Sequence, residues 1–235
     1  MTPAALDIPA KYRERLRAGQ WFQGLTPALQ DLLLAHMTIR QLATGQRLFA
    51  RGDPADGLYC VVDGAIKLAG SARDGKEAIL AIIESPSWFG EIAVFDELHR
   101  THDAWADEPS TLLHIPGTIL QTLLTQQPLL WQALGVLLSH KIRLAFLALE
   151  ELSLQPPASR LARRLLMMAR GYGELEGISK REIRVPQEQL GQMLALSRQT
   201  VNQLLRQLEH SGVVRLGRGG IEIVDLPQLE TLADL

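Results

Sequence analysis

The chain has 235 residues, a formal net charge of −2 and 46% apolar residues. This length is enough for one large domain or two domains of ordinary size, and the composition, with 21% charged residues, excludes a disordered or collagen-like chain. The near-neutral charge argues against a globally basic nucleic-acid coat protein. The single cysteine, Cys60, excludes intramolecular disulfides, Cys-rich zinc modules and Cys-ligated iron–sulfur clusters.

No segment of the sequence is expected to enter a membrane or to direct export. The N-terminal residues lack the basic segment and the long apolar core of a signal peptide. The longest stretch without Asp, Glu, Lys, Arg or His runs from Ile115 to Ser139, and prolines and several Gln and Thr residues interrupt it. The sequence therefore predicts a cytoplasmic, soluble protein without a membrane partner.

The charge is distributed unevenly along the chain. Residues 1–150 contain 13 Lys and Arg and 16 Asp and Glu, a net charge of −3, whereas residues 156–222 contain 11 and 6, a net charge of +5. An acidic first part followed by a basic last part is expected of a sensor joined to an anion-binding module.

The first part of the sequence predicts helices followed by a β-roll. Residues 11–40 are expected to be helical at both ends, with Thr26 and Pro27 starting the second helix. From Gly45 to Ile115, short apolar runs alternate with turn residues, which predicts an antiparallel barrel or roll. The predicted strands are 47–50, 58–62, 65–69, 78–84 and 112–115.

A long helix is predicted from Pro128 to Leu152, and it carries two apolar stripes. A helix with two apolar stripes must bury both of them. One stripe can cover the β-roll, and the other then requires a partner, most simply the same helix of a second subunit. The alternative is the central helix of a monomeric bundle, which the strand-rich flanking segments disfavour. Pro156 and Pro157 then break the helix.

Residues 187–209 predict two short helices joined by a tight turn, with Ser197 capping the second. This arrangement is a helix-turn-helix. In the major groove, Arg pairs with guanine and Gln or Asn pairs with adenine. The positions expected to be exposed on the second helix are Arg198, Gln199, Asn202 and Gln203. The predicted DNA-binding set of this helix comprises Ser197, Arg198, Gln199, Thr200, Asn202 and Gln203.

A β-hairpin is predicted after the helix-turn-helix. Residues 212–223 alternate about a glycine-rich turn, as expected of a wing. Arg215 and Arg218 of this wing are expected to reach DNA phosphates. Together with the local charge of +5, the wing favours DNA binding over an αα-hairpin with ordinary solvated charges.

A second candidate site lies in the predicted roll. Gly90 permits close backbone approach, and a helical turn after Glu91 would direct N–H groups at an anion. Arg100 and the Thr101 hydroxyl could bind the same anion, while Glu91 could accept from a sugar hydroxyl. The arrangement suits a ribose cyclic phosphate. The alternative is a turn without a ligand, in which Arg100 pairs with Glu91 or Asp96.

Neither an enzyme nor a metal protein is indicated. His99, His102, Asp103 and His114 match no strong metal-ligand spacing. No nucleophile elbow, paired-carboxylate motif or HExxH motif is present. A small nucleotide hydrolase is an alternative function that would require such a constellation.

Over about residues 21–225, the chain resembles the Crp/Fnr superfamily of bacterial transcription regulators. The spacing of glycines and apolar residues from Gly45 to Gly64 is similar to that of the family's cyclic-nucleotide-binding domain. The run Phe89-Gly90-Glu91-Ile92-Ala93, followed by Arg100-Thr101, resembles that domain's phosphate-binding cassette. The run Ser197-Arg198-Gln199-Thr200-Val201 resembles the family's recognition helix.

The resemblance implies an α+β fold: an antiparallel, jelly-roll-like β-roll sensor domain over residues 1–127, a dimerisation helix over 128–153, and a winged helix-turn-helix domain over 154–235. It implies that Glu91 binds the ribose 2′-hydroxyl, that Arg100 and Thr101 bind the cyclic phosphate, and that Arg198 reads guanine. The implied effector is a cyclic nucleotide, cyclic AMP or cyclic GMP. The implied partners are a double-stranded operator, a second copy of the chain and RNA polymerase.

Three departures from the family pattern concern the effector. Cyclic-AMP receptors of the family place hydroxyl residues on the long helix to meet adenine, and the matching positions here are Ala145 and Phe146. Thr101 is similar to the threonine that favours cyclic GMP in related eukaryotic domains. His102 stands where the family commonly has a small residue.

Further departures concern the helix-turn-helix. Ala195 occupies a turn position that usually holds glycine, which costs about 1 kcal/mol if the backbone there is left-handed. Gln199 and Gln203 replace a glutamate and an arginine of the best-known members, so a different operator is expected. The sequence thus predicts a dimeric DNA-binding regulator controlled by a small effector. The alternatives are an effector-independent regulator of the same fold and a cyclic-nucleotide-binding regulatory protein without DNA function.

Overall fold

A computed structural model describes residues 8–71, 77–173, 179–217 and 220–233. The chain divides into two compact units, one formed by residues 1–70 and 80–142 and the other by residues 71–79 and 143–235. The division falls within the long helix, between Ile142 and Arg143.

Helices begin the first unit: α1 (Ala10–Ala18), α2 (Gln20–Gln23) and α3 (Pro27–Leu34). The α3 start confirms the predicted cap, because the Thr26 hydroxyl accepts a hydrogen bond from the Leu29 amide at 3.4 Å and Pro27 occupies the first turn. Proline is favoured there because its missing N–H has no helical partner to lose.

Two four-stranded sheets form the roll, in the orders β1-β8-β3-β6 and β2-β7-β4-β5. The pairings of β3 and β1 with β8, and of β2 and β4 with β7, are antiparallel, so the predicted roll is confirmed. The strands are β1 (Thr38–Leu42), β2 (Arg47–Phe49), β3 (Gly57–Asp63), β4 (Ala65–Ser71), β5 (Glu77–Glu84), β6 (Trp88–Phe89), β7 (Asp103–Ala106) and β8 (Ser110–Pro116).

The central strands β3 and β8 are buried on both faces. Leu58, Cys60 and Val62 of β3 pack in a cluster with the helices, whereas Tyr59 and Val61 pack against residues of the second sheet. This alternation follows from the two-residue period of a strand, which directs successive side chains to opposite faces. A strand buried on both faces reads as a continuous apolar run, which is why β3 was predicted from the sequence.

Two shorter helices border the roll, α4 (Ile92–Asp96) and α5 (Gly117–Gln126). Helix α4 follows β6 directly, and its left-handed C-cap is Glu97. The turn predicted after Glu91 is therefore present. It places the candidate effector residues between β6 and β7.

The long helix α6 spans Leu129–Leu154. One of its predicted apolar stripes is covered, since Leu130, Leu134 and Leu137 are buried in the helix-facing core of the roll. The other stripe is exposed and includes Trp131, Ile142, Leu149 and Leu152. By length and composition alone α6 could cross a membrane, with a mean hydropathy of 1.3 over its most apolar window. In this chain, the exposed stripe therefore requires an apolar partner of some kind.

The second unit contains the helix-turn-helix and a three-stranded sheet in the order β10-β11-β9. Helices α8 and α9 are the two helices of the predicted motif, and the antiparallel pair β10 and β11 is the predicted wing. The elements are α7 (Pro157–Ala169), a 3₁₀ turn (Gly171–Gly173), β9 (Glu182–Ile183), α8 (Gln187–Leu194), α9 (Arg198–His210), β10 (Val214–Leu216), β11 (Ile221–Ile223) and α10 (Leu226–Ala233).

Candidate functional site

The first unit contains a cavity of about 140 Å³ that brings together all four predicted effector residues: Gly90, Glu91, Arg100 and Thr101. Its apolar lining includes Phe49 and Phe89. Apolar walls with a few convergent polar groups are typical of small-molecule sites. Four residues that are spread over 12 positions of the sequence therefore line one cavity. We call it the effector cavity.

Arg100 is the central charge of the effector cavity, and it is only 5% exposed. Its Nη2 donates to Asp56 Oδ1 at 2.7 Å and to the Gly57 carbonyl at 2.9 Å, and its guanidinium lies 4.4 Å from the centre of the Phe49 ring. Within the described chain, its Nε is buried and has no hydrogen-bond partner. A buried guanidinium with an unused donor is a favourable site for an anion.

The ion pair between Arg100 and Asp56 corrects the ligand-free alternative considered from the sequence. That alternative paired Arg100 with Glu91 or Asp96, whereas the counter-charge comes from Asp56 in the loop before β3. Burial alone would raise the pKa of Asp56, but hydrogen bonds from Tyr59 and Arg100 outweigh burial and lower the pKa below its ordinary value. Asp56 therefore stays ionised. It was not predicted as the partner of Arg100, because nothing in the sequence places it beside that residue.

Glu91 also has an ionic partner that the sequence analysis missed. Glu91 is 2% exposed, and Lys141 Nζ of α6 donates to Glu91 Oε2 at 2.7 Å and to the Trp88 carbonyl at 2.6 Å. A buried carboxylate requires such a partner, since an isolated charge is costly to bury. The available signal was Lys141 as the first cationic residue of a helix whose N-terminal part is mostly apolar. Lys141 also lines the effector cavity.

The chain can approach Arg100 this closely only because residue 90 is glycine. Gly90 has φ +100°, and a Cβ atom added there would lie 2.9 Å from both Arg100 Nη1 and the Gly57 carbonyl oxygen. L-amino acids with a side chain rarely adopt this φ. The role predicted for Gly90, close backbone approach, therefore agrees with its geometry.

Thr101 presents its side chain at the exposed edge of the effector cavity. Its carbonyl accepts from Arg51 Nε at 2.9 Å, and its hydroxyl lies 2.9 Å from His102 Nδ1. Burial and the positive charge of Arg51 lower the pKa of His102, while Asp103 opposes them. His102 is therefore neutral near pH 7 and lines the same cavity.

The His114 side chain makes its contacts within the protein. Its Nε2 lies 3.0 Å from the Asp56 carbonyl oxygen, and its ring stacks on Tyr59 with 4.4 Å between ring centres. Across the described ranges, no group of three or more His, Cys, Asp and Glu side chains is placed to hold a metal ion.

The turn of the helix-turn-helix has the geometry predicted for it. The Ser197 hydroxyl accepts from the Thr200 amide at 3.0 Å, which caps α9. Ala195 is left-handed, with φ 52° and ψ 42°. Helix α8 approaches the turn closely at Gly191, where an added Cβ would lie 2.7 Å from the Leu196 carbonyl oxygen. The predicted departure at Ala195 therefore places alanine in a conformation that favours glycine.

The outer face of α9 presents Arg198, Gln199 and Gln203 as exposed side chains. Asn202, expected to be exposed, is half-buried, because its Nδ2 donates to Gln187 Oε1 at 2.9 Å. Its Oδ1 accepts from Arg206 Nε at 3.2 Å. To contact a base, Asn202 would have to give up these hydrogen bonds. Arg198, Gln199 and Gln203 are already exposed to solvent.

The wing carries one of the two predicted arginines within the described residues. Arg215 Nη1 donates to Glu222 Oε2 on the opposite strand at 2.7 Å, and both side chains are largely exposed. An exposed pair of this kind is weak, so a DNA phosphate can compete for the guanidinium. Arg218 lies outside the described residues.

The roll and the helix-turn-helix each match a known domain family. Residues 39–127 match the cyclic nucleotide-binding domain, and residues 159–232 match the Crp-like helix-turn-helix domain. A β-roll of the cyclic-nucleotide-binding type together with a Crp-like helix-turn-helix is the architecture of a DNA-binding transcription regulator.

Two relatives of the chain are regulators of the same class. A cyclic AMP receptor protein of Thermus thermophilus is 33% identical over 219 residues, which are 93% of this chain and 98% of the relative. A CRP-like cAMP-activated global transcriptional regulator of Mycobacterium tuberculosis is 29% identical over 209 residues, 88% and 93% of the two chains. The chain belongs to the Crp/Fnr family of transcription regulators.

A solved structure supports the fold independently. The c-di-GMP responsive global regulator CLP of Xanthomonas campestris aligns with a TM-score of 0.68 and 23% identity, over 85% of this chain and 100% of the other. At this identity the likeness concerns the fold alone. Regulators of the family bind DNA and act as dimers.

Proposed function

We propose that the chain is a cytoplasmic, homodimeric regulator in which a cyclic nucleotide binds the effector cavity and controls binding of α9 to a palindromic operator. The observation that carries the effector is the convergence of Glu91, Arg100 and Thr101 on one cavity. A cyclic phosphate would bind Arg100 and the Thr101 hydroxyl, and the ribose 2′-hydroxyl would donate to Glu91. Gly90 would leave room for this approach.

Cyclic AMP is the first candidate effector, because two relatives are described as receptors of cyclic AMP or as activated by it. Cyclic GMP is the second, because Thr101 resembles the threonine of related domains that favour it. Ala145 and Phe146 supply no hydroxyl to adenine, so contacts to the base would differ from those of the best-known receptors. The polar contacts of the ribose and phosphate do not depend on these two positions.

For DNA binding, we propose that Arg198, Gln199 and Gln203 contact base edges, with Asn202 joining them if it leaves Gln187. Ser197, Thr200 and the wing residues Arg215 and Arg218 would contact phosphates. These assignments follow from the exposure of α9 and the donors that each side chain offers. Two-fold symmetry would place the two recognition helices about 34 Å apart, one DNA turn.

Residues 128–153 would form the dimer interface. The exposed stripe of α6 includes Phe146, 66% exposed, and Leu149, 60% exposed. Burying such a stripe against the same helix of a second copy removes apolar surface from water without a membrane. Replacing Leu149 by Asp should convert dimer to monomer in sedimentation experiments, whereas the neighbouring Glu150→Gln should not.

RNA polymerase is the further partner that we propose for a regulator of this type. We propose no enzymatic role, because the named relatives are transcription regulators. Incubation of the native protein with each cyclic nucleotide, followed by chromatography, should return the nucleotide unchanged.

The central experiment is calorimetric titration of the native protein with cyclic AMP, cyclic GMP and cyclic di-GMP. We expect cyclic AMP or cyclic GMP to bind, and Arg100→Ala to abolish the binding. Selection of operators from a randomised palindromic library, with and without the nucleotide, should then show nucleotide-dependent DNA affinity. If none of the three nucleotides binds while the protein still selects an operator, the regulator is independent of a cyclic nucleotide.

A further inference from the structure

The side chains of two consecutive residues meet at the edge of the effector cavity. His102 Nδ1 lies 2.9 Å from Thr101 Oγ1, and both residues line the cavity together with Arg100. A Cβ atom added at Gly70 of β4 would lie 3.7 Å from His102 Cδ2, so the imidazole is close to this strand. The His102 side chain is half-buried, and its hydrogen bond positions it to direct the Thr101 hydroxyl.

The hydrogen bond between these side chains can have either direction. A neutral imidazole carries one N–H and one acceptor nitrogen, and a threonine hydroxyl has a single hydrogen to donate. If Nδ1 accepts, the Thr101 hydrogen is used internally and cannot reach an anion. If Nδ1–H donates, the Thr101 hydrogen is free for a phosphate oxygen. An anionic ligand at Thr101 therefore selects the second arrangement.

We propose that His102 is a positioning residue of the effector cavity, which donates Nδ1–H to Thr101 and takes up a proton when an anionic effector binds. This inference rests on the proposed function, since it concerns the same cavity. A protonated imidazole donates from both nitrogens, so proton uptake fixes the productive direction of the hydrogen bond. It also adds a positive charge beside the phosphate.

The charges around His102 determine the direction of this coupling. Arg51 disfavours the imidazolium and Asp103 favours it, while Gly70 of β4 contributes no charge. Among the described residues, the other charged or titratable groups that line the cavity are Glu91, His99, Arg100 and Lys141. A bound phosphodiester adds a negative charge to this set, and an opposite charge nearby favours the protonated form.

The proton linkage then predicts a pH-dependent affinity. Because the ligand-bound protein holds the proton more tightly than the free protein, affinity rises as the pH falls through the pKa of His102 in the complex. A shift of one pKa unit on binding would change the affinity about tenfold. The cyclic phosphate itself stays ionised over this range, so the ligand does not contribute to the change.

The test is calorimetric titration of the full chain with the cyclic nucleotide that binds most tightly, at about pH 8 and at about pH 5.5. At an intermediate pH, buffers with different ionisation enthalpies report proton uptake. We expect the native protein to bind more tightly at the lower pH, by at most about tenfold for a shift of one pKa unit, with net proton uptake. His102→Gln, whose amide can still donate to Thr101, should bind with little pH dependence and without that uptake.

His99→Gln is the matched control, because His99 also lines the cavity but is not hydrogen-bonded to Thr101 in this arrangement. It should retain the pH dependence. A native affinity that is independent of pH, or a pH dependence that His99→Gln removes and His102→Gln keeps, would overturn the proposal. Failure of every cyclic nucleotide to bind the native protein at either pH would instead overturn the proposed function.

Discussion

Arg100 and Asp56 form an ion pair at the effector cavity, with 2.7 Å between Arg100 Nη2 and Asp56 Oδ1. The arginine is buried, whereas the aspartate side chain is 41% exposed. The carbonyl oxygens of Gly57 and Gly90 also accept hydrogen bonds from Arg100 and hold the guanidinium in place. A bound phosphate would therefore share with Asp56 an arginine that is already oriented.

Replacing Asp56 by Asn should destabilise the free protein and increase its response to the effector. The buried Arg100 loses its counter-charge, which should cost about 1–2 kcal/mol after allowance for solvent screening at Asp56. An anionic effector restores a counter-charge, so saturating nucleotide should raise the Tm of Asp56→Asn by more than that of the native protein. Asp31→Asn, at an exposed position of α3, is the control. If the nucleotide raised the Tm of Asp56→Asn and of the native protein equally, the prediction would be contradicted.

Replacing Lys141 by Met should destabilise the first unit. The Glu91 carboxylate would stay buried without its ionic partner, at an expected cost of about 2–3 kcal/mol, less than for a fully buried pair because the Lys141 side chain is 31% exposed. Combining it with Glu91→Gln should recover part of the loss. Urea unfolding of the two single variants and the double variant measures this coupling, and additive losses would show that the ion pair contributes nothing.

Stability should fall as the pH drops below the ordinary histidine range, and His114 should be a main cause. Burial, and then the positive charge of Arg40, lower the pKa of His114, so the folded protein binds its proton less readily than the unfolded chain. Stability is therefore lost as the pH falls from about 6.5, the unfolded pKa, towards the lower folded pKa. His114→Gln should flatten the dependence of Tm on pH in this window. An unaltered dependence of Tm on pH in His114→Gln would contradict the prediction.

Ala195→Gly should stabilise the helix-turn-helix. Alanine in a left-handed conformation costs about 1 kcal/mol relative to glycine, so the free energy of unfolding should rise by about that amount. The opposite substitution, Gly191→Ala, should be destabilising, because the added Cβ would lie 2.7 Å from the Leu196 carbonyl oxygen. Thermal unfolding of the two variants checks both signs. A lower Tm for Ala195→Gly would show that the left-handed alanine is not strained.

Arg198→Ala and Arg215→Ala should weaken operator binding in different ways. If Arg198 reads a guanine, its loss should cost about 1–3 kcal/mol and relax the preference at one base pair. If Arg215 contacts a phosphate, its loss should weaken binding to all sequences similarly and reduce the salt dependence by about one unit. Titrations against the selected operator and its single-base variants, at several salt concentrations, distinguish the two roles. Unchanged specificity of Arg198→Ala would refute its assignment.

Several elements of the fold were predictable because their signals are local. The apolar run of β3, the Thr26 and Ser197 caps and the glycine-rich wing are each encoded within a few neighbouring residues. The strands β1, β6 and β7 were not predicted. They are short or half-polar, and β6 has only two residues, so pairing with neighbouring strands rather than local sequence determines them.

Residue types at fixed spacing were enough to identify the family, to predict the helix-turn-helix and to propose the candidate ligand residues. The charges that neutralise Arg100 and Glu91 became apparent only in the folded chain. Asp56 and Lys141 are 44 and 50 positions away from them, and no local pattern encodes a contact over that separation. The same holds for the Asn202 amide, which its own helix would expose but which the preceding helix binds through Gln187. Ion pairs and side-chain hydrogen bonds between elements form only when packing brings the elements together, so these partners could not be predicted from the local sequence.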